Sequence, residues 1–191
     1  CTINGRSSDI SIRQQLNNCA RNLNYRIDEW VIGGGWELFD FPDGAPSSEM
    51  LDEIFGGRPV FLSDAFGHNA WVSSKAMELA GINSTTADPP NGTIVRDVNT
   101  GKPLGTLRES AMDIILKVLP ELTVEKQYES LLLGIKEANK FGITAFIEPG
   151  VDHALASLYK NLEDNEDLNA RVMLALSPIS ELPGSVGPEL F

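Results

Sequence analysis

The 191-residue sequence predicts a folded, soluble α/β protein, and three observations lead to this prediction. Hydrophobic residues make up 42% and charged residues 22% of the chain, which is enough apolar material to build a core. In the second half, segments with helical periodicity alternate with short, fully apolar runs of strand length. Such strands are typical of a parallel sheet that is covered on both faces.

The first half predicts elements in a mixed order. Its apolar spacing and capping residues indicate a helix over 9–24, a strand over 27–32, a helix over 48–55, a strand over 59–62 and a helix from Ser73 or Ser74 to Ala80. A hairpin follows, with strands over 93–96 and 104–107, and it leads into a helix over 108–119. The triplet Gly33–Gly35 predicts a tight turn, because residues without Cβ allow a sharp bend. A phosphate-binding loop is the alternative, but the residues that such a loop needs do not follow.

The second half begins with the clearest helix of the sequence, over 123–141. Thr123 is suited to its N-cap and Gly142 to its left-handed C-terminal cap. A strand over 143–147, a helix over 153–162 and a strand over 172–176 complete the α-β-α-β order.

Charge and composition exclude several classes of function. The chain has 15 Lys and Arg against 27 Asp and Glu, a formal net charge of −12, which opposes binding to nucleic acid and to anionic membrane surfaces. Cys1 and Cys19 are too few for a disulfide framework and form no metal-binding pair, so we expect no chemical role for them. The compartment stays open, with the cytoplasm favoured.

Six motifs occur in a fixed order along residues 30–150. The longest is the segment 64–77, DAFGHNAWVSSKAM, followed closely by Ala80-Gly81-Ile82. The others are Gly33–Trp36, Pro59-Val60, Gly92–Asp97, Gly105–Glu109 and Phe141–Thr144. Together they resemble the signature of amidohydrolase family 3, the YtcJ-like branch of the metal-dependent hydrolases.

This resemblance implies a TIM-like (β/α) barrel hydrolase of amide or related C–N bonds that uses a divalent metal, with zinc favoured. The chain is too short for a complete barrel, so it is expected to be a partial barrel segment with an inserted α+β subdomain. Residues 1–110 would form the inserted, lid-like subdomain and residues 111–191 part of the barrel. The family's His-x-His pair has no counterpart here, so we expect a fragment of a longer protein that is inactive alone and possesses no complete metal site.

Five residues are the candidates for the site. His68 and Glu148 are predicted to be catalytic, because each follows or ends a predicted strand, where barrel enzymes place reactive groups. Glu109, in a family motif, is the candidate metal ligand. Asp64 and Trp71 are the candidates for substrate contact. For each residue a purely structural role is the alternative.

Two functions are therefore expected. The first is a metal-dependent amidohydrolase with a small-molecule substrate, to which this chain contributes part of the pocket. The second is a non-catalytic binding or assembly module on the same scaffold, which would explain the missing histidines. Self-association into a homo-oligomer is compatible with both.

Overall fold

The computed structural model describes residues 1–4, 9–23 and 26–176. The chain divides into two compact units, and the division falls between Pro120 and Glu121. No helix in these described ranges is both long and apolar enough to cross a membrane.

The first unit is built on a five-stranded mixed sheet. Its strands are β1 (Val31–Trp36), β2 (Val60–Asp64), β3 (Asn69–Val72), β4 (Gly92–Arg96) and β5 (Pro103–Glu109), and their order in the sheet is β1-β2-β3-β5-β4. β1 and β2 are parallel, and the other neighbouring pairs are antiparallel. The helices of this unit are α1 (Asp9–Asn22), α2 (Ser48–Phe55), α3 (Ser74–Leu79) and α4 (Asp113–Leu116).

This sheet is covered on both faces, which explains why Val60–Leu62 of β2 and Ala70–Val72 of β3 are all apolar. Leu62 and Trp71 point into one core, which α1 and α2 cover. Phe61 and Val72 point into a second core, which α3 and α4 cover. Because successive side chains of a strand point to opposite faces, a strand buried on both sides cannot alternate between apolar and polar residues.

The glycine triplet lies within a strand, so the predicted turn is wrong. Gly33–Gly35 belong to β1, whose free edge is covered by the segment Cys1–Asn4. A Cβ atom on Gly33 would lie 1.9 Å from the carbonyl oxygen of Cys1. The glycines therefore allow another backbone to approach closely.

The helix predicted over 108–119 is shorter than expected. β5 continues to Glu109, where the backbone adopts a positive φ of 50°, and α4 begins only at Asp113. Ile115 of α4 is fully buried in the second core of the first unit. The first compact unit accordingly includes the residues up to Pro120, and the boundary at residue 110 between an inserted subdomain and a barrel stays a prediction.

The second unit contains two helices and a parallel pair of strands. Its elements are α5 (Val124–Lys140), β6 (Ala145–Val151), α6 (His153–Asp164) and β7 (Arg171–Leu176). The parallel pairing of β6 with β7 confirms the prediction. Both helices pack on one face of these strands, around Ile135, Tyr159 and Leu162.

The opposite face of β6 and β7 is open in the described residues, whereas the sequence predicts cover on both faces. Ile147 on β6 and Met173 on β7 are 63% and 65% exposed. On the helix-covered face, Glu148 of β6 accepts a hydrogen bond of 3.0 Å from the hydroxyl of Tyr159. Burial and this bond together raise the pKa of Tyr159 to about 12.

We expect Ser73→Ala to lower the free energy of unfolding of the first unit by about 2–3 kcal/mol, because it leaves buried backbone groups without partners. The Ser73 hydroxyl is fully buried, accepts from the amides of Val60 and Ala76 and donates to the carbonyl of Arg58. Ser47→Ala, which removes one exposed bond to an N-terminal amide of α2, is the matched control and should cost about 1 kcal/mol. Equal losses in denaturant titrations would contradict this expectation.

We expect Tyr159 to ionise near pH 12 while the chain remains folded, well above the ordinary value of 10. Because folding raises this pKa, the stability that Tyr159 contributes is complete below about pH 10 and is lost as the pH rises towards 12. In one pH titration, absorbance follows the formation of tyrosinate and circular dichroism follows the folded state. Tyr159→Phe should remove the ionisation near pH 12. Ionisation of all three tyrosines near pH 10 in the folded chain would contradict it.

Candidate active-site edge

Most of the predicted site residues of the first unit collect at one edge of its sheet, here called the active edge and defined by Asp64, His68 and Glu109. The parallel strand β2 ends at Asp64, β3 begins directly after His68, and β5 ends at Glu109. Strand ends and the loops that join them are where a rigid sheet can present reactive side chains. The sequence predicted each of these residues but did not predict β3.

The register between β3 and β5 places His68 opposite Glu109. Asn69 pairs with Arg108 in this antiparallel ladder, so the next residues outward are His68 and Glu109. The amide of Glu109 donates to the carbonyl of His68 over 2.9 Å. The side chains also meet, with His68 Nδ1 3.2 Å from Glu109 Oε2.

The His68–Glu109 pair is open to solvent. The two side chains are 66% and 58% exposed. An exposed pair of this kind contributes at most about 1 kcal/mol to folding, because water screens it. The two side chains can therefore take part in a reaction with little effect on the free energy of folding.

The backbone of Glu109 is in an unusual conformation. Its φ of 50° and ψ of −131° lie outside the regions that residues with a Cβ ordinarily occupy. Strain of this kind costs about 1–3 kcal/mol and is concentrated at functional sites. Here it turns the chain out of β5 at the point where the carboxylate meets His68.

Asp64 is buried and supports the His68 loop. One carboxylate oxygen accepts from the amides of His68 and Asn69, and the other accepts from the Asn69 side chain over 2.7 Å. Only 4% of Asp64 is exposed. Its contacts hold the loop in shape, and a direct contact with substrate stays a prediction that this burial does not favour.

Trp71 lies in the core of the first unit, with none of its surface exposed. Its indole nitrogen donates to the carbonyl of Ser47, and its ring packs edge-to-face against the rings of Trp36 and Phe41. Packing is therefore the role that the structure gives it. The expected substrate contact stays a prediction, and this burial argues against it.

Arg108 is a candidate that sequence reasoning missed. It precedes Glu109 on β5, and its Nε is buried without a hydrogen-bond partner among the described residues. A buried guanidinium nitrogen normally has an acceptor. The side chain therefore has a donor that no described residue satisfies, and a lone Arg inside a strand motif gave no signal of this.

Glu148 belongs to the second unit. It shares the helix-covered face of β6 with Phe146, and its carboxylate is bonded to Tyr159. The open face carries Ile147 instead. The contact gives Glu148 a role in fixing α6 to β6, and its expected catalytic role stays a prediction.

The active edge does not form a metal site by itself. No group of three or more His, Cys, Asp or Glu side chains converges in the described part of the chain. Metal-dependent hydrolases commonly use three protein ligands, and His68 with Glu109 supplies two donors at most. What the pair offers directly is an imidazole next to a carboxylate, which can bind, hold and release a proton.

Comparison with known proteins gives relatives in plants and bacteria. The chain is 35% identical over 127 residues to protein LONG AFTER FAR-RED 3 of Arabidopsis thaliana, and 39% identical over 119 residues to YtcJ of Bacillus subtilis (strain 168), which is named as an amidohydrolase. These alignments cover 66% and 61% of the chain, but 22% of the length of each relative. An N-substituted formamide deformylase of Arthrobacter pascens is 41% identical over 88 residues, which are 46% of the chain and 16% of that enzyme.

Two solved structures share the fold. They are uncharacterized metal-dependent hydrolases from Pyrococcus horikoshii OT3 and Pyrococcus furiosus, with TM-scores of 0.57 and 0.55 and sequence identities of 20% and 22%. The matches cover 92% and 93% of this chain, and 32% and 34% of the two hydrolases. A sequence model of the amidohydrolase family matches residues 6–187. The chain therefore belongs to the amidohydrolase family.

Proposed function

We propose that this chain is part of a metal-dependent amidohydrolase that cleaves amide or related C–N bonds in small molecules, and that the active edge faces the reacting bond. Membership of the family supports the class of reaction. The observation that carries the proposal is the exposed His68–Glu109 pair, held at a strand end by the backbone bond between these residues.

In this proposal His68 transfers protons and Glu109 positions it. When Nδ1 carries the imidazole proton, it donates to Glu109 Oε2 and leaves Nε2 as an acceptor directed away from the carboxylate. Nε2 can then take a proton from a nucleophilic water and return it to the departing amine nitrogen. The carboxylate fixes the orientation and the tautomer of the ring.

The metal of the proposed enzyme would be held by residues beyond those described here. Two donors do not make a hydrolase metal site, so we assign no step of the reaction to a metal on this chain. A contact between Glu109 and a metal completed elsewhere stays a proposal, as does zinc as the ion.

A partial (β/α) barrel is the proposed fold of the second unit. The parallel pairing of β6 with β7 and the helices on one face support it. The open face with Ile147 and Met173 supports it as well, since the corresponding face of a barrel strand points into a packed interior. The alternative function, a non-catalytic assembly module, would use the same open face in a homo-oligomer of defined mass, which light scattering can detect.

We expect His68→Gln to lower kcat/KM by at least about 100-fold in the longer protein, since general acid–base groups contribute this much or more. Glu109→Gln should lower kcat/KM less, by about 10-fold, because the ring would lose its orientation but keep its proton transfer. N-substituted formamides are the first substrates to try, because a relative is named for acting on them. The melting temperatures should change little, since the pair is exposed.

Glu78→Gln is the matched control for these two variants. Glu78 is also an exposed acid in an ion pair, with Lys75 at 2.9 Å, but it lies on α3 away from the active edge. Its loss should leave kcat/KM unchanged. Equal effects of Glu78→Gln and His68→Gln would show that the active edge has no special part in the reaction.

We expect the 191-residue chain alone to retain less than one divalent ion per ten molecules after dialysis against a chelator, because its described residues bring together fewer than three ligands. Mass spectrometry of metals measures this. A near-stoichiometric ion that survives the wash would overturn the expectation. If Glu109→Gln then removed that ion, Glu109 would be a metal ligand in the chain itself.

A further inference from the structure

The two cysteines are joined in the structure, although their number and spacing in the sequence predict no chemical role for them. Cys1 and Cys19 form a disulfide with their Cα atoms 5.7 Å apart, a separation typical of unforced disulfides. Cys1 begins the segment Cys1–Asn4, which lies along β1, and Cys19 lies on α1. The bond therefore connects a short extended segment to a helix.

The segment Cys1–Asn4 acts as a short additional strand on the edge of the sheet. Ile3 donates its amide to the carbonyl of Gly34 over 2.7 Å, and Gly34 donates its amide to the carbonyl of Cys1 over 2.9 Å. Thr2 and Gly34 form a parallel bridge. The Cys1 nitrogen also donates to the carbonyl of Ile32 over 2.9 Å, and the amide of Asn4 donates to Gln15 Oε1 on α1 over 2.8 Å. Ile3 is buried in the first core. The disulfide adds a covalent bond to these contacts.

β1 is shaped to accept this segment. A Cβ atom on Gly35 would lie 2.1 Å from the carbonyl oxygen of Ile3, and one on Gly33 would clash with Cys1 in the same way. The neighbouring strand and the backbone set two further requirements, because a Cβ atom on Gly34 would lie 2.4 Å from Ser63 Oγ and Gly35 has a positive φ of 100°. Covering an edge strand also prevents it from pairing with another chain.

α1 supplies a fixed anchor for the other end of the bond. Ile12 and Leu16 of α1 are fully buried in the first core of the unit. Cys1 and Cys19 pack at the margin of that core and are half-buried. Thiols at such positions can be reached by a redox partner, whereas fully buried thiols are inert.

We propose that Cys1 and Cys19 are a redox modification site, whose disulfide clamps the segment Cys1–Asn4 onto the glycine strand β1 and so closes the edge of the sheet. The oxidant is a disulfide-bonded partner, such as oxidised glutathione, that reacts by thiol–disulfide exchange. The two thiols of the chain give up two protons and two electrons to this partner. One S–S bond forms in the chain, and the S–S bond of the partner is cleaved to two thiols.

The clamp implies that the chain reaches this state in an oxidising compartment, because cytosolic glutathione and thioredoxin keep half-exposed thiols reduced. In a reducing cytosol the segment would keep its hydrogen bonds to β1 and α1 and the burial of Ile3, but it would have no covalent bond to α1. This inference is independent of the proposed hydrolase, since neither cysteine belongs to the active edge.

The test measures the melting temperature of the 191-residue chain, purified without reductant, before and after treatment with dithiothreitol. All three tryptophans, Trp30, Trp36 and Trp71, lie in the first unit, so their fluorescence reports the unfolding of that unit alone. The bond joins residues 18 positions apart. We expect reduction to lower the melting temperature by about 5–10 °C, from the usual effect of a closed loop of this size.

The serine variants provide the control. Cys19→Ser should melt at the temperature of the reduced chain and should not respond to dithiothreitol, and re-oxidation of the reduced natural chain should restore its higher temperature. Hydrogen exchange at the amides of Ile3 and Gly34 should accelerate at least tenfold on reduction. If a variant fails to fold, the reduction and re-oxidation of the natural chain alone decide.

Four results would overturn the proposal. The first is two titratable thiols per chain after exposure to oxidised glutathione, and the second is a melting temperature that reduction leaves unchanged. The third is equal exchange of Ile3 and Gly34 in both redox states. The fourth is an effect of dithiothreitol on Cys19→Ser equal to that on the natural chain.

Discussion

The antiparallel register of β3 on β5 is the constraint on which the active edge depends. The pairing of Asn69 with Arg108 leaves His68 opposite Glu109, and a shift by one residue would separate the imidazole from the carboxylate. The register is in turn held by burial, because Trp71 on β3 must point into one core while Val72 points into the other. Two apolar cores thus specify the position of two exposed polar groups.

Sequence reasoning located the helices well, since their signals are local. The helix over Ser48–Phe55 has the bounds that its N-cap and apolar spacing indicate, and Thr123 caps α5 as expected. The parallel pairing of β6 and β7 also followed from their apolar composition. In each case the deciding residues are near one another along the chain.

Features that depend on distant contacts could not be predicted. β3 is four residues long and has no alternation of polar and apolar residues, and its neighbours in the sheet identify it as a strand. Gly33–Gly35 are typical of a turn until the segment Cys1–Asn4 is found beside them. The individual site residues followed from motifs, but two of their contacts did not. These are the contact of His68 with Glu109, which lie 41 positions apart, and the hydrogen bond from Tyr159 to Glu148.

The positive φ of Glu109 has a consequence for how this chain can change over time. Glycine would adopt this conformation without strain, so replacing Glu109 by glycine would relax the backbone while removing the carboxylate beside His68. Selection for a more stable chain and selection for the active edge therefore favour different residues at this one position. Copies of the chain that do not need the carboxylate beside His68 should drift towards glycine there.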